Sequence, residues 1–454
     1  MADNPALSTA CERGRVVACF VVSSAQWCEH DVGERRLAFL GRSLNALSCE
    51  LAQLGIALKL IEAPRFEDVP GALLALAKHT GVKRLAFNAE YPGNEQRRDK
   101  AVSTVMQTNG IEVMRTHGGV SMPPGTIMTR KGTPFSVFTP FKRRWLEQLQ
   151  PDQIRPLPAP PPQGDAIPAG HLSYLADVPL ELGSASWPAG EQVAHNRLGQ
   201  FLNDHISHYG ADRNFPALDG TSNLSAYLSV GSVSSNQCLH SASQMNDSRL
   251  RGPAIDTWVD QIVWRDFYRH VVALFPRVSR GCAFRRSYDS IPWRSAPAEL
   301  AAWQEGTTGY PLVDAGMRQL RHTGWMHNRL RMVTAMFLAK HLLIDWRHGE
   351  RYFMQQLVDG DFAANNGGWQ WSASTGTDAV PYFRVFNPTT QGRRFDPCGA
   401  FTREMLPELA DLPDRYLFEP HRAGVELDYP QPIVEHGFAR QRVIAAFRRA
   451  RRSS

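Results

Sequence analysis

Hydrophobic residues in the first part of the chain alternate between two periods. Residues 15–22 are rich in apolar and β-branched side chains, which is typical of a buried strand. Leucines then recur at steps of three and four, as on an apolar helix face: Leu37, Leu40, Leu44, Leu47, Leu51 and Leu54. Further strand-like segments occupy 57–62, 84–90 and 111–117. This alternation predicts βαβ units on one parallel sheet, a Rossmann-like α/β domain over residues 1–118.

Prolines mark a boundary after this domain, at positions 151, 156, 158, 160, 161, 162 and 168. Such a density disfavours regular helix and strand and favours an extended linker. Beyond about residue 188 the strand patterns fade and helical periodicity dominates. We therefore expect an interdomain linker at 119–190 and a larger all-α domain at 191–454.

Composition narrows the class of protein. The 454 residues are 43% hydrophobic and 21% charged, which is typical of a soluble globular protein. The most apolar stretches are too short to span a bilayer, and the N-terminus lacks a signal-peptide pattern. The 7 cysteines show no CxxC pair or metal-like spacing, so we expect reduced thiols in the cytoplasm and no metal site.

The charge pattern leaves two interpretations open. The net charge is +6, and the C-terminus carries an arginine cluster: Arg440, Arg442, Arg448, Arg449, Arg451 and Arg452. Such a run fits a polyanionic partner such as nucleic acid. A solvated helix face accounts for it equally well.

Polar and aromatic residues concentrate in the second half of the chain. Residues 365–371 read Asn-Asn-Gly-Gly-Trp-Gln-Trp, a segment that an apolar core seldom needs, because buried amides require partners and paired glycines weaken a helix. Core packing followed by a helix-ending turn is the alternative. Together with residues 264–270 and the hydroxyl-rich 220–225, the segment favours a site for a flat ring ligand with a phosphate group.

These motifs resemble the photolyase and cryptochrome family, most closely the bacterial class I cyclobutane pyrimidine dimer photolyases. The strongest match runs from Gly309 to Leu409 and includes 323–332, 345–347 and 365–371. The resemblance implies an antenna-binding α/β domain and a helical FAD-binding domain. It implies light-driven repair, in which an electron passes from excited FADH⁻ to a flipped-out dimer. A (6-4) photolyase and a cryptochrome receptor that does not repair DNA are the alternatives.

The resemblance assigns residues to FAD and to an electron relay. FAD phosphates and ribityl groups would be held by Tyr209, Thr221, Ser222, Asn223, Leu224 and Ser225. Around the cofactor would lie Trp258, Arg265, Trp325, Asn328, Arg331, Asp359 and Asp361. Asn365 would face flavin N5, where a neutral amide adds no charge beside a reduced flavin. The relay would be Trp293, Trp346 and Trp369, although core packing explains each tryptophan alone.

The resemblance also implies UV-damaged DNA, single- or double-stranded, as partner of a monomer that associates with the nucleoid. The dimer would meet Gln261, Trp264, Asn328, Met332 and Trp371. Arg213, Arg329 and Arg384 would grip phosphates, or instead pair with local carboxylates. A 5,10-methenyltetrahydrofolate antenna, favoured over a deazaflavin, would be bound by His30, Asn94, Glu95 and Arg280.

The sequence departs from the family pattern in two places. One bears on the efficiency of repair, and the other on the first strand of the α/β domain. Gln261 stands where cyclobutane-dimer photolyases carry Glu, and Gln is typical of (6-4) enzymes. Against that alternative, Asn328 stands where (6-4) enzymes carry a catalytic His. The family's opening strand, before the Asp-Asn that Asp3-Asn4 resembles, is absent. We expect its loss to leave unpaired backbone groups in the sheet, from either a late start codon or a real truncation.

Overall fold

The computed structural model describes residues 1–170, 179, 181–183, 185–245, 253–378 and 384–452. These fall into two compact units. The first comprises 1–207, 222–279 and 358–363, and the second comprises 208–221, 280–357 and 364–454. The domain limits at 118 and 190 stay predictions from the sequence.

The α/β part confirms the predicted alternation of strands and helices. Its strands are shorter than the apolar segments from which they were predicted. Its strands are β1 (Ala18–Val22), β2 (Leu58–Glu62), β3 (Arg84–Asn88) and β4 (Glu112–Thr116). Its helices are α1 (Pro5–Glu12), α2 (Ser24–Glu29), α3 (Glu34–Gln53), α4 (Val69–Thr80) and α5 (Gly93–Thr108). The helix predicted from the leucine period is α3.

The single sheet that we expected is split into two parallel pairs. β1 pairs with β2 from Ala18↔Leu58 to Val22↔Glu62, and β3 pairs with β4. Among the described residues no ladder joins the pairs. The chain's first segment forms helix α1, capped by the Asn4 side chain. Asn88 of β3 donates to Asn4 Oδ1 at 2.8 Å, which anchors α1 against the second pair.

The predicted linker at 119–190 is more ordered than proline density suggested. It contains helix α6 (Phe138–Gln148) and a 3₁₀ turn at Pro151–Ile154; residues 171–178, 180 and 184 of this prediction lie outside the described part. The α6 residue Trp145 is fully buried and donates its indole N–H to Asp266 at 3.0 Å. Burial of Trp145 therefore folds α6 onto its unit, whereas 119–137, apart from an isolated bridge between Met128 and Pro134, and 155–170 contain no helix or strand.

The remaining chain is helical, as predicted. The first of these helices are α7 (Glu191–Asp204), α8 (Tyr209–Asp212), α9 (Ser225–Val230), α10 (Ser235–Gln244), α11 (Pro253–Leu274) and α12 (Pro297–Glu305). Next come α13 (Pro311–Thr323), α14 (Asn328–Met336), a π-helical turn (Phe337–His341), α15 (Trp346–Gln356) and α16 (Phe362–Ala373). The last are α17 (Pro388–Phe395), α18 (Ala400–Met405), α19 (Asp414–Leu417) and α20 (His436–Arg452). No helix in the described ranges is long and apolar enough to cross a membrane.

Candidate functional site

Three of the four residues assigned to the antenna meet in the first unit. Asn94 and Glu95 lie in the first turn of α5, and His30 follows α2. The Asn94 amide lies 2.8 Å from His30 Nε2, and Glu95 lies 3.6 Å from His30 Nδ1. Burial raises the pKa of Glu95 to about 7 and lowers that of His30. Arg280 belongs to the second unit and is exposed.

This arrangement fits a flat heterocycle with N–H groups. A carboxyl group whose pKa is near 7 can accept from, or donate to, such a ring. Two neighbours that the sequence did not single out complete the cluster: Gln26, 3.2 Å from His30 Nε2, and Phe66, edge-on to the imidazole at 5.5 Å. The helical spacing of Gln26 and His30 was the available signal for the first of these.

A charged cluster in the first unit surrounds the two aspartates assigned to FAD. Arg269 on α11 donates to Asp361 at 2.9 Å, and Asp359 is buried. The pKa of Arg36 is lowered by burial, against the opposing field of Asp361. One helical turn before Arg269, the Arg265 guanidinium donates to the carbonyl oxygens of Gly119 and Leu228, and burial lowers its pKa to about 10. Trp258, also on α11, is buried beside Phe201.

The hydroxyl-rich segment forms the loop that leads into α9. Asn223 adopts a left-handed backbone conformation, with φ at 50°, and Leu224 is buried at the helix entrance. Gly220 approaches Asp212 so closely that an added Cβ would lie 2.8 Å from the Asp212 Cβ. Tyr209 on α8 is buried, with the Arg213 guanidinium 5.3 Å from its ring centroid. The loop is thus a tight, fixed turn.

Asn365 lies on α16 with its amide orientation fixed. Its Nδ2 donates to the main-chain carbonyl of Glu350 on α15 at 2.9 Å. The next residue, Asn366, donates to the Glu350 carboxylate at 2.8 Å and accepts from Gln370 at 2.9 Å. Of this Asn-Asn pair, Asn366 is therefore structural. Asn365 Oδ1 has no donor among the described residues, which fits an acceptor for a ligand N–H.

The three relay tryptophans belong to one hydrophobic core in the second unit. Trp346 and Trp369 are buried in it, and Trp293 packs against it from a partly exposed position. Trp369 stands edge-on to Phe353 at 4.9 Å and to Trp303 at 6.0 Å. None of the three indole N–H groups has an acceptor in the described part of the chain.

An arginine cluster in the second unit contains two of the three predicted phosphate contacts. Arg329 on α14 donates to Asn214 at 2.7 Å and stacks on Phe395 at 4.1 Å. Burial and the positive fields of Arg213 and Arg394 lower its pKa. The sequence reading missed Arg394, which also lies over Phe395. Its Arg-Phe pair on α17 was the only signal.

The residues assigned to the dimer are distributed over both units. In the first, Trp264 stacks face to face on Phe138 at 3.7 Å, so one of its two faces is already covered. Gln261 donates to the Thr257 carbonyl at 3.1 Å and is part-buried. In the second, Asn328 is exposed, with Met332 one helical turn away, and Trp371 is part-buried.

Arg384 is exposed and borders residues outside the described part. Two further residues assigned to FAD, Trp325 and Arg331, flank the start of α14 and are part-buried. Arg331 donates to the Met326 carbonyl at 2.8 Å.

Comparison with known proteins gives matches over nearly the whole chain. Residues 1–163 match the family model described as DNA photolyase, and residues 258–449 match the FAD binding domain of DNA photolyase. The deoxyribodipyrimidine photo-lyase of Escherichia coli is 44% identical over 457 residues, covering 99% of this chain and 96% of that protein.

Solved structures of similar fold include a photolyase and a cryptochrome. A class III photolyase from Agrobacterium tumefaciens is 35% identical, with a TM-score of 0.88 over 99% of this chain and 95% of that one. A Synechocystis cryptochrome is 25% identical, with a TM-score of 0.83 over 98% and 96%.

Proposed function

The chain belongs to the DNA photolyase family, and from that premise we propose that it splits cyclobutane pyrimidine dimers in DNA with light. The observation that carries the proposal is the full-length similarity to a deoxyribodipyrimidine photo-lyase. It is a flavoprotein lyase whose cofactor is FAD, and its substrate is DNA. When bound and reduced, FAD supplies the photoexcited electron that opens the cyclobutane ring.

The orientation of Asn365 supports its assignment to flavin N5. Its Nδ2 is held by Glu350, so Oδ1 can accept from the flavin N–H without placing a formal charge there. Loop 221–225, Tyr209, Trp258, Arg265, Trp325, Asn328 and Arg331 would hold the rest of the cofactor. Asp359 and Asp361 would hydrogen-bond ribityl hydroxyls, and the Arg269 contact would keep Asp361 in place.

We assign the phosphate grip to Arg213, Arg329 and Arg394. Arg329 and Arg394 both lie over the Phe395 ring. Among the described residues, no carboxylate forms an ion pair with Arg329. Photolyases act on bases extruded from the helix. Trp371, Met332 and Asn328 would contact the extruded dimer, and so would Gln261 and the uncovered face of Trp264. Arg384 stays a further candidate for the backbone.

The buried tryptophans suit the role of refilling an oxidised flavin. Trp369 and Trp346 are buried in one core, and Trp293 packs against it from a partly exposed position, an order that would suit electron transfer from the protein surface to the flavin. His30, Asn94 and Glu95 would bind a methenyltetrahydrofolate antenna, with Arg280 as an additional contact. We expect a cytoplasmic monomer that joins the nucleoid when it binds UV-damaged DNA.

Lesion choice is tested by illuminating reduced protein with oligonucleotides that carry either a cyclobutane dimer or a (6-4) product. We expect thymines to be restored from the cyclobutane dimer alone, because Asn328 replaces the (6-4) histidine. Restoration from the (6-4) product alone would favour the alternative that Gln261 suggests. Restoration from neither lesion would favour a blue-light receptor.

A further inference from the structure

Lys340 is a buried lysine that the proposed electron transfer does not use. It lies in the π-helical turn that follows α14, and its side chain is 1% exposed. Burial of an ammonium group is costly, and it lowers the pKa of Lys340 to about 7. Turns of this kind are rare and occur frequently at functional sites. Such a position favours a role for the N–H groups of Lys340, because an apolar side chain would fill the same space at lower cost.

The Lys340 ammonium donates to two acceptors that follow α16 in the chain. One is the Ser374 hydroxyl at 2.8 Å, and the other is the main-chain carbonyl of Arg384 at 2.5 Å. Ser374 has a left-handed backbone conformation, with φ at 63°. Such a conformation is strained for a residue other than glycine and persists where the surrounding structure holds it. One buried side chain therefore holds the chain at Ser374 and at Arg384.

Arg384 combines an anchored main chain with an exposed position. The next two residues, Val385 and Phe386, pack against two different hydrophobic clusters of the second unit. Asn387 then caps α17 by accepting from the Thr389 N–H at 3.0 Å. An arginine on an anchored segment has fewer conformations to lose when it binds a phosphate. The geometry is thus suited to presenting the Arg384 guanidinium to a ligand.

Lys340 is too deeply buried to contact DNA itself, so it can affect binding in two indirect ways. Its charge can act on the DNA through the electrostatic field, and this effect would not depend on Arg384. Its hydrogen bond to the Arg384 carbonyl can orient that residue, and this effect requires the Arg384 side chain. The two ways therefore predict different results once Arg384 is replaced.

We propose that Lys340 is a positioning residue for DNA binding, which directs Arg384 toward the DNA backbone by holding its main-chain carbonyl. The proposal rests on the backbone contact that the proposed function gives to Arg384. Without the Lys340 bond, the segment that carries Arg384 would be less ordered in the free protein. DNA binding would then have to order it, and affinity would fall.

The test compares wild type, Lys340→Met, Arg384→Gln and the double variant as flavin-loaded full chains. The affinity for a duplex oligonucleotide with a cyclobutane dimer is measured in the dark. Methionine keeps most of the lysine side-chain length but removes its N–H groups. We expect Lys340→Met to weaken binding about 3- to 10-fold, the range of one lost hydrogen bond. In the Arg384→Gln background the same substitution should change affinity less than about twofold, because the two residues act together.

A matched control comes from the first unit, because Lys340 is the only lysine of the second. Lys100 is exposed on α5, and Lys100→Met makes the same substitution with the same loss of charge. This variant should bind the oligonucleotide as tightly as wild type.

A comparison of affinity with photochemical yield distinguishes positioning from damage to the fold. At saturating oligonucleotide, reduced Lys340→Met should split dimers with a yield per absorbed photon within about twofold of wild type. A general defect of the fold would lower the affinity and the yield together.

Ser374→Ala decides the matter if Lys340→Met does not fold. It removes the hydroxyl acceptor and leaves Lys340 in place, so the ammonium is held less firmly beside Arg384. We expect a smaller loss of affinity, about 2- to 3-fold, which should also disappear in the Arg384→Gln background.

Equal losses from Lys340→Met with and without Arg384→Gln would overturn the proposal, because Lys340 would then act through its charge or through the fold. Unchanged affinity in Lys340→Met would also overturn it. If Arg384→Gln binds the oligonucleotide as tightly as wild type, the backbone contact of Arg384 fails and this proposal with it. Light-driven splitting of dimers by chemically reduced wild type shows separately whether the proposed function stands.

Discussion

Asn365 has one polar atom committed to the fold and one available to a ligand. Replacing it with Asp puts a carboxylate where Oδ1 now stands, and its charge opposes electron gain by a neighbouring flavin. We expect Asn365→Asp to lower the flavin midpoint potential by about 60 mV or more, since about 1.4 kcal/mol corresponds to 59 mV for one electron. Spectroscopic redox titration measures this, with neutral Asn365→Ser as control. Equal flavin midpoint potentials in the two variants would show that residue 365 does not lie beside the flavin.

Gln261 should limit the yield of repair. Its amide can donate to a thymine carbonyl, but it cannot offer a charged acceptor or a proton. Gln261→Glu is therefore expected to raise the number of dimers split per absorbed photon. A Gln261→Leu protein, which removes both polar functions, should fall below wild type. Our account of this position is wrong if the Glu variant repairs no better than wild type.

Lys340 gives a pH-dependent test of the fold. It is buried, donates to Ser374 at 2.8 Å and to the Arg384 carbonyl, and burial lowers its pKa to about 7. An unfolded lysine keeps its proton up to about pH 10.4. Between these values the unfolded chain binds more protons, so this residue makes stability rise with pH by at most about 1.4 kcal/mol per unit.

Urea unfolding of wild type and Lys340→Met at pH 7 and pH 9 measures this contribution. The difference in unfolding free energy should move in favour of wild type as pH rises, whereas the exposed Lys100→Met should show no such trend. Parallel pH profiles for wild type and Lys340→Met would show that Lys340 is charged in the fold.

The resemblance predicted more of the site than residue chemistry did. It grouped His30, Asn94 and Glu95, which meet in the structure although they are distant in sequence. It did not indicate Arg394, because a contact through a shared ring depends on how α14 and α17 pack. The stacking of Phe138 on one face of Trp264 was also not predictable, because Phe138 lies in the expected linker.

At the scale of elements, α15 and α16 pack closely because Gly349 has no side chain. A Cβ there would lie 2.1 Å from Trp369, well inside contact distance. Gly349→Ala should cost about 1–3 kcal/mol of unfolding free energy and slow light-driven reduction of the flavin, because Trp369 must shift. On α7, Gly199 has open space around it, so Gly199→Ala should be neutral or stabilising by up to about 1 kcal/mol. Similar losses in the two variants would contradict the close packing.

Local periodicity was sufficient for most elements of the α/β part, since each strand and α3 carries its own apolar pattern. Pairing was not predictable in the same way. Whether β1 and β3 join one sheet depends on what lies between them, and no pattern within either strand reports that. The proline-rich composition led us to expect a linker where α6 forms. This helix is stabilised by burial of Trp145 against Asp266, which is distant in sequence.

For the whole molecule, repair and reduction of the flavin are expected to use two separate electron paths. In the proposed function, repair would use an electron that returns from the dimer to the flavin, whereas the tryptophans would only restore the reduced state. Replacing Trp293, Trp346 and Trp369 together with Phe should leave repair by chemically reduced protein unchanged. The same protein, started oxidised, should lose photoreduction at least tenfold in rate. Loss of repair in both conditions would show that these rings hold the fold or the dimer instead.

Counting the dimers split per protein molecule shows whether the chain repairs DNA catalytically with light. Pre-reduced protein is mixed with excess oligonucleotide that carries a cyclobutane dimer, without any external reductant, and restored thymines are quantified in light and in the dark. We predict many dimers split per protein in the light and none in the dark, because the electron returns after each event. Light-independent restoration, or no restoration in the light, would contradict the account.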